Sequence, residues 1–248
     1  MTDFKVVIPA RLASTRLPGK PLLDIAGKPM IVHVCERALE AGGEVLVATD
    51  HESIAEAVSA LNVKAVMTRV DHASGTERLC EVAQIMEWPE ETRIINLQGD
   101  EPLMDPELIH VLAEALEQDS VATLSAPIIR PDELFDPNVV KVICDSRGHA
   151  LYFSRAPIPW DRDHFQKTRD SLPAEANHRR HIGIYAYKSG FLSRYTRWTR
   201  SPLEGVEALE QLRILWHGEK IRVIETDKAP ESGVDTEADL QRIRKLLQ

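Results

Sequence analysis

Phe4-Lys5-Val6-Val7-Ile8-Pro9-Ala10-Arg11-Leu12-Ala13-Ser14-Thr15-Arg16-Leu17-Pro18-Gly19-Lys20-Pro21-Leu22 is a short β-branched run that stops at Pro9 and opens into an irregular basic loop. The run Lys5 to Pro9 reads as a strand, and the same pattern recurs at Glu44 to Ala48, Val63 to Met67, Arg93 to Leu97 and Val121 to Ala126. Amphipathic stretches separate these runs, at about Pro29 to Ala41, Ser53 to Leu61, Thr76 to Met86 and Pro106 to Glu117. Strand and helix alternating in this way predict an α/β fold, with a mostly parallel, Rossmann-like sheet flanked by helices. Ligands of such sheets bind beyond the carboxyl ends of the strands, where the basic loop starts.

From about Ile128 the rhythm changes. Prolines at 127, 131, 137, 157, 159 and 173 interrupt it, and Val139 to Cys144 with His149 to Phe153 read as a hairpin. Trp160 to Arg180 is polar, mixed in charge, and reads as a surface excursion. Regular patterning resumes with a strand at His181 to Tyr187, a helix near Leu203 to Trp216, a strand at Lys220 to Glu225 and a helix from about Glu237 to Leu247. There is no repeat or linker, so one domain with a smaller mixed lobe inserted or appended is expected.

The chain has 248 residues, 43% hydrophobic and 28% charged, the mix of an ordinary soluble protein able to bury a core without staples. A formal net charge of −9 argues against nucleic acid or anionic lipid as a partner, so an anionic ligand has to be met by a local basic cluster. Cys35, Cys80 and Cys144 are odd in number and show no zinc-type spacing, which suits reduced thiols in a cytoplasmic protein. Neither a signal peptide nor a membrane span is expected.

Between Phe4 and Leu23 lie four basic residues, Lys5, Arg11, Arg16 and Lys20, and no acidic one. In an irregular loop Arg11, Arg16 and Lys20 can converge on one polyanion, with Gly19 permitting close backbone approach; a merely solvated basic loop is the alternative. Gly19-Lys20 is followed by Pro21, so this is no P-loop, and no Gly-x-Gly-x-x-Gly opens the first helix.

Asp100 follows an apolar strand and lies between Gly99 and Pro102, at the rim where an α/β sheet binds ligands. It suits a turn aspartate and a metal ligand equally. Asp235 precedes the capping-box pattern Thr236-Glu-Ala-Asp239 and has the same ambiguity. Magnesium carried by a nucleoside triphosphate takes only one or two protein carboxylates, a demand that two separated aspartates fit. Ser74-Gly-Thr-Glu77 is also a capping box, and its free backbone N–H groups can serve as a base reader or anion seat.

Four motifs in order, Arg11-Leu-Ala-Ser-Thr-Arg16-Leu-Pro-Gly-Lys20-Pro-Leu, His72-Ala-Ser-Gly-Thr-Glu-Arg78, Asn96-Leu-Gln-Gly-Asp100-Glu-Pro and Gly233-Val-Asp235-Thr, closely resemble the 3-deoxy-manno-octulosonate (Kdo) cytidylyltransferase, or CMP-Kdo synthetase, family. The similarity runs over the whole chain. It implies a nucleotidyltransferase-type fold, with a nucleotide-binding part at about 1–126, a sugar-acid-binding and dimer lobe at about 127–216, and a return to the main sheet at about 217–248. It further implies transfer of CMP from CTP to Kdo with release of pyrophosphate, for bacterial lipopolysaccharide synthesis, by a cytoplasmic homodimer. Sialic acid as the sugar acid, or a non-catalytic nucleotide-binding regulatory module, are the alternatives.

By the same resemblance Arg11, Arg16 and Lys20 hold the triphosphate, and Ala10, Ala73, Ser74 and Gly75 read the base. Asp100 and Asp235 bind Mg2+, which lowers the pKa of the sugar hydroxyl and screens its approach to an anion; a second ion on the triphosphate is compatible with this. Arg78 and Gln98 face the reacting groups. His181 and Tyr185, four apart on a predicted strand and so on one side, join Glu210 and Gln211 as the residues that hold the sugar acid. Lys20, Arg16, Asp100 and Asp235 are thus the implied catalytic set, and the Pro-rich segment Arg155 to Arg180 is the expected dimer contact.

Overall fold

The computed structural model describes residues 3–13, 17–72, 74–175, 177–227 and 233–247. The chain divides into two compact units. One comprises Met1–Glu117, Ile184–Thr196 and Pro230–Gln248; the other comprises Gln118–Gly183 and Arg197–Ala229.

In the first unit the strands Lys64–Met67, Glu44–Thr49, Lys5–Ala10 and Arg93–Asn96 lie side by side in that order, all parallel. The end of the long strand Arg179–Lys188 runs antiparallel beside the last of them, with Tyr185 opposite Asn96. Val6, Val7 and Ile8 are fully buried, the expected result when both faces of a strand are covered and its sequence is a continuous apolar run. Helices Met30–Glu40, Glu52–Val58, Gly75–Ile85 and Pro106–Ala115 alternate with these strands. In the first of them Met30, Ile31, Val34, Cys35 and Ala38 recur at helical spacing and are fully buried on one face. Pro106 follows the N-cap Asp105, whose carboxylate accepts from Glu107 N–H, so the last of the four starts where its sequence supplies a cap and a pre-set φ.

A cluster of Leu17, Ile25, Met30, Val234, Leu240 and Ile243 is buried in this unit. It joins the end of the basic loop to the approach of the last helix, Glu237–Leu246, across more than two hundred residues of chain. Burial of each such side chain is worth about 1.5–3 kcal/mol, which fixes both segments to one base.

In the second unit Val121–Pro127 pairs in parallel with Arg222–Glu225, and Lys141–Cys144 forms the expected hairpin with Ala150–Ser154, bulged between Ile143 and Cys144. Arg179 and Arg180 add antiparallel to Val142 and Lys141. The stretch Trp160 to Arg180 is more than a surface excursion: it contains the helix Arg162–Phe165, and Phe165 is buried with Ile128 and Leu134 in a small core of its own. The single helix expected near Leu203 to Trp216 is two, Pro202–Glu207 and Leu212–Trp216. Ala208 between them takes a left-handed φ of 51°, which stops the first helix, and the chain turns before the second begins. The helices Pro131–Phe135 and Ser189–Tyr195 were not anticipated; at five and seven residues they are too short to show a helical period. Among the described residues no helix is long and apolar enough to cross a membrane.

Candidate active site

At the carboxyl ends of the first unit's parallel strands lies a cavity of about 290 Å³. Pro9 and Ala10, ending the strand Lys5–Ala10, line it with Arg11 and Ala13 of the loop that follows and with Lys20 and Pro21. His72, Ser74, Gly75 and Arg78 come from the turn into the helix Gly75–Ile85. Gln98, Gly99 and Asp100 follow the strand Arg93–Asn96, and Asp235 precedes the last helix. Thus Ala10, Arg11, Lys20, Ser74, Gly75, Arg78, Gln98, Asp100 and Asp235, singled out from separate stretches of sequence, share one cavity. Arg16 and Ala73 lie outside the described residues.

Lys20 stands at the charged end. Its Nζ donates to Asp100 Oδ2 at 2.5 Å and to Asp235 Oδ1 at 3.0 Å. Burial lowers the pKa of this amine, but the two carboxylates outweigh burial and hold it above the ordinary lysine value, so it stays protonated. Gly19 allows this placement through its backbone conformation. Its φ is +66°, and a Cβ added there would meet nothing within 4 Å.

The two aspartates are 135 positions apart in sequence, and Gly233 is what lets them meet. A Cβ on Gly233 would fall 3.0 Å from Asp100 O and 2.9 Å from a carboxylate oxygen of Glu101. With no side chain there, Val234 N–H reaches Asp100 O at 2.9 Å and carries Asp235 alongside. Thr236 caps the following helix in a reciprocal box with Asp239. Asp235 is therefore neighbour to a cap while its own carboxylate faces Lys20.

Two carboxylates drawn onto one cation form a hard-oxygen donor pair, which is what magnesium takes from protein when phosphates and water complete its shell. Among the described residues no group of three or more His, Cys, Asp or Glu side chains clusters as a metal cage. The donor set fits a nucleotide-borne magnesium and would not suit a zinc site.

Ser74, which also lines the cavity, caps the helix Gly75–Ile85, its hydroxyl accepting from Glu77 N–H at 3.2 Å. Arg78 is buried yet lines the cavity, with Nη1 on Thr68 Oγ1 at 2.5 Å and Nη2 on Asp50 Oδ2 at 3.0 Å. His72 lines the cavity too, and its Nε2 meets the Glu81 carboxylate, which also accepts from Arg69 N–H at 3.0 Å. Burial raises the Glu81 pKa, but the His72 and Arg69 bonds prevail and keep it below the usual carboxylate value. Sequence reasoning gave His72, Asp50 and Glu81 no role. Asp50 did carry a signal, since like Asp100 it follows an apolar strand at the carboxyl edge.

The four sugar-acid candidates are not among the residues lining this cavity. Tyr185 belongs to the first unit, buried opposite Asn96 and stacked on Tyr187 with ring centroids 5.7 Å apart. Glu210 and Gln211 belong to the second unit and sit in the turn between its two short helices, with Gln211 at the N-terminal boundary of Leu212–Trp216, instead of inside one helix as expected. His181, also in the second unit, has Nε2 3.1 Å from Thr123 Oγ1 and its ring edge-on to Phe153.

Burial depresses the His181 pKa to about 3, so the ring is a neutral hydrogen-bonding group at any working pH. Between its ordinary value of 6.5 and about 3 the unfolded chain binds a proton that the native protein refuses. Stability is therefore intact above that window and falls on acidification, by up to about 1.4 kcal/mol per pH unit. Urea midpoints between pH 7 and 4 should show a component of that slope which His181→Gln removes; an unchanged slope in the variant would refute this assignment.

A family model for cytidylyltransferases matches residues 5–221. The chain is 60% identical over 249 residues to the 3-deoxy-manno-octulosonate cytidylyltransferase of Methylococcus capsulatus, covering 99% of this chain and 97% of that one. It is 55% identical over 248 residues to the enzyme of the same name from Erwinia tasmaniensis, with 99% of each covered. The solved structure of CMP:2-keto-3-deoxy-manno-octonic acid synthetase complexed with CTP matches it with a TM-score of 0.89 at 45% identity, over 98% of both chains. With the cavity placed where a nucleotide-binding α/β sheet has its site, the chain belongs to the cytidylyltransferase family, among the 3-deoxy-manno-octulosonate cytidylyltransferases.

Proposed function

We propose that this protein activates Kdo: the anomeric hydroxyl attacks the α-phosphorus of CTP, the bond to the β-phosphate oxygen breaks, and CMP-Kdo and pyrophosphate result. The observation that carries this reading is the Lys20 ammonium held between Asp100 and Asp235 in the same cavity as Arg11 and the Ser74–Gly75 turn. A purely basic pocket would bind a triphosphate, and a purely acidic one would repel it. This cavity carries both, as a site must that neutralises a triphosphate and also admits a divalent cation.

Arg11 and Lys20 supply fixed positive charge to the triphosphate and then to the departing pyrophosphate. The backbone of Ala10 and of the Ser74–Gly75 turn offers groups for the edge of the base, and Arg78, gripped by Asp50 and Thr68, contributes a guanidinium with little freedom to move. Asp100 and Asp235 would hold magnesium, which when bound polarises phosphate and hydroxyl oxygens. Lys20 then exchanges carboxylate partners for phosphate oxygens. In-line transfer of this kind needs positioning and charge neutralisation, and no side-chain nucleophile. His181, Tyr185, Glu210 and Gln211 are proposed to hold the sugar acid, on the strength of the resemblance over the whole chain. A cytoplasmic homodimer is the form the resemblance supports.

Pyrophosphate release from CTP, Kdo and magnesium tests the reading. Release that a chelator abolishes and excess magnesium restores is the expected result. CTP bound with no release above background would instead indicate a nucleotide-binding module.

A further inference from the structure

Asp50 does not line the cavity, yet it touches two of its walls. It is the first residue after the strand Glu44–Thr49, and only 10% of its side chain is exposed. Oδ1 accepts from Leu12 N–H at 3.3 Å, between the cavity residues Arg11 and Ala13. Oδ2 accepts from Arg78 Nη2 at 3.0 Å, one turn into the helix whose start also lines the cavity. Arg78 has 4% of its side chain exposed, and its other terminal nitrogen is held by Thr68 Oγ1, whose hydroxyl in turn donates to Thr49 O at 3.1 Å.

We infer that Asp50 is a positioning residue for the nucleotide, fixing the distance between the triphosphate loop and the Ser74–Arg78 wall. The physical reason is that each wall taken alone is underdetermined. Arg11, Leu12 and Ala13, the described start of the loop, belong to no strand or helix, so no ladder holds them. A long arginine side chain has many rotamers, and one gripped at both terminal nitrogens has few, while each nitrogen keeps a second N–H that can face a ligand. One carboxylate bonded to both walls ties the loop to the arginine, and the buried guanidinium obtains the counter-charge it needs. A carboxylate serving only as a core ion pair would have no bond to the loop. The inference rests on the proposed nucleotide site and deepens it.

Two substitutions separate the two bonds. Asp50→Asn keeps an oxygen for Leu12 N–H but offers Arg78 no charge; Asp50→Ala removes both partners. Calorimetry with CTP should show Kd rising about tenfold in Asp50→Asn and further in Asp50→Ala. In steady-state assays KM for CTP should rise while KM for Kdo stays within about twofold, a split that general loosening of the fold would not give. Because Asp50→Asn acts through Arg78, the Asp50→Asn/Arg78→Met protein should bind CTP within about twofold of Arg78→Met alone. Should Asp50→Asn not fold, Thr68→Val releases the other grip on the same guanidinium without leaving a buried carboxylate, and should raise the CTP Kd severalfold.

A natively folded Asp50→Asn with CTP affinity within twofold of wild type, strictly additive losses in the double variant, or an equal rise in both KM values would each overturn the inference. Wild-type protein that binds CTP but releases no pyrophosphate with Kdo would defeat the proposed reaction and leave the calorimetric test of Asp50 decisive. Wild-type protein that binds no CTP would defeat both.

Discussion

Asp100→Asn is expected to cut pyrophosphate release from CTP and Kdo by at least about a hundredfold at saturating magnesium, with little change in melting temperature. The two halves of that expectation have different causes. Catalytically, the carboxylate sits 2.5 Å from Lys20 Nζ and shares that cation with Asp235, so neutralising it removes half of the only paired hard-oxygen donor set lining the cavity among the described residues. Structurally, the Asp100 side chain is about a third exposed, and a pair of that kind contributes no more than about 1 kcal/mol. Lys20 also keeps Asp235, and one carboxylate fewer relieves repulsion between the two. Asp235→Asn should behave alike. Turnover near the wild-type level in either purified variant would sink the assignment of these aspartates.

Arg213→Met should be the most destabilising of the substitutions considered, by about 3–5 kcal/mol in urea unfolding. Glu204 has 4% of its side chain exposed and receives two bonds from Arg213, Nε to Oε2 at 2.8 Å and Nη2 to Oε1 at 2.6 Å. Arg200 approaches from the exposed side at 3.2 Å, and Ser201 N–H closes the capping box. Burial raises the Glu204 pKa, but Arg213, with Ser201 N–H and Arg200, more than offsets it and leaves the group below its usual value. The sign follows directly: a depressed carboxylate adds stability above its unfolded value and loses it as pH falls through the folded one. The wild-type advantage over Arg213→Met should therefore shrink on acidification. Since this pair fastens the short helices on either side of Glu210 and Gln211, KM for Kdo should rise in the variant more than KM for CTP. A loss under 1 kcal/mol, or one unchanged between pH 6 and 3, would contradict the pairing.

Particular elements show how much was legible beforehand. The strands Lys5–Ala10 and Arg93–Asn96 and the helices between them are local patterns, set by which faces are apolar, and the chain states those faces residue by residue. Asp100 could be placed at the ligand edge because it follows such a strand. The break at Ala208 could not be seen: alanine is the best of helix formers, yet here its backbone is left-handed, between a Glu204 and an Arg213 that bond to each other. Phe165 looked like one aromatic in a polar stretch until Ile128 and Leu134 came to meet it.

The α/β alternation, the basic loop after the first strand and the edge position of Asp100 can be read from the amino acids alone, because each depends on residues within one or two turns of chain. Folding in three dimensions is what brings Asp235 to Asp100 across Gly233, sets Lys20 between the two, and lets Asp50 bind the loop to Arg78. Those contacts join residues tens to hundreds of positions apart. Their geometry comes from buried clusters such as Leu17 with Val234 and Leu240, whose packing no local period records.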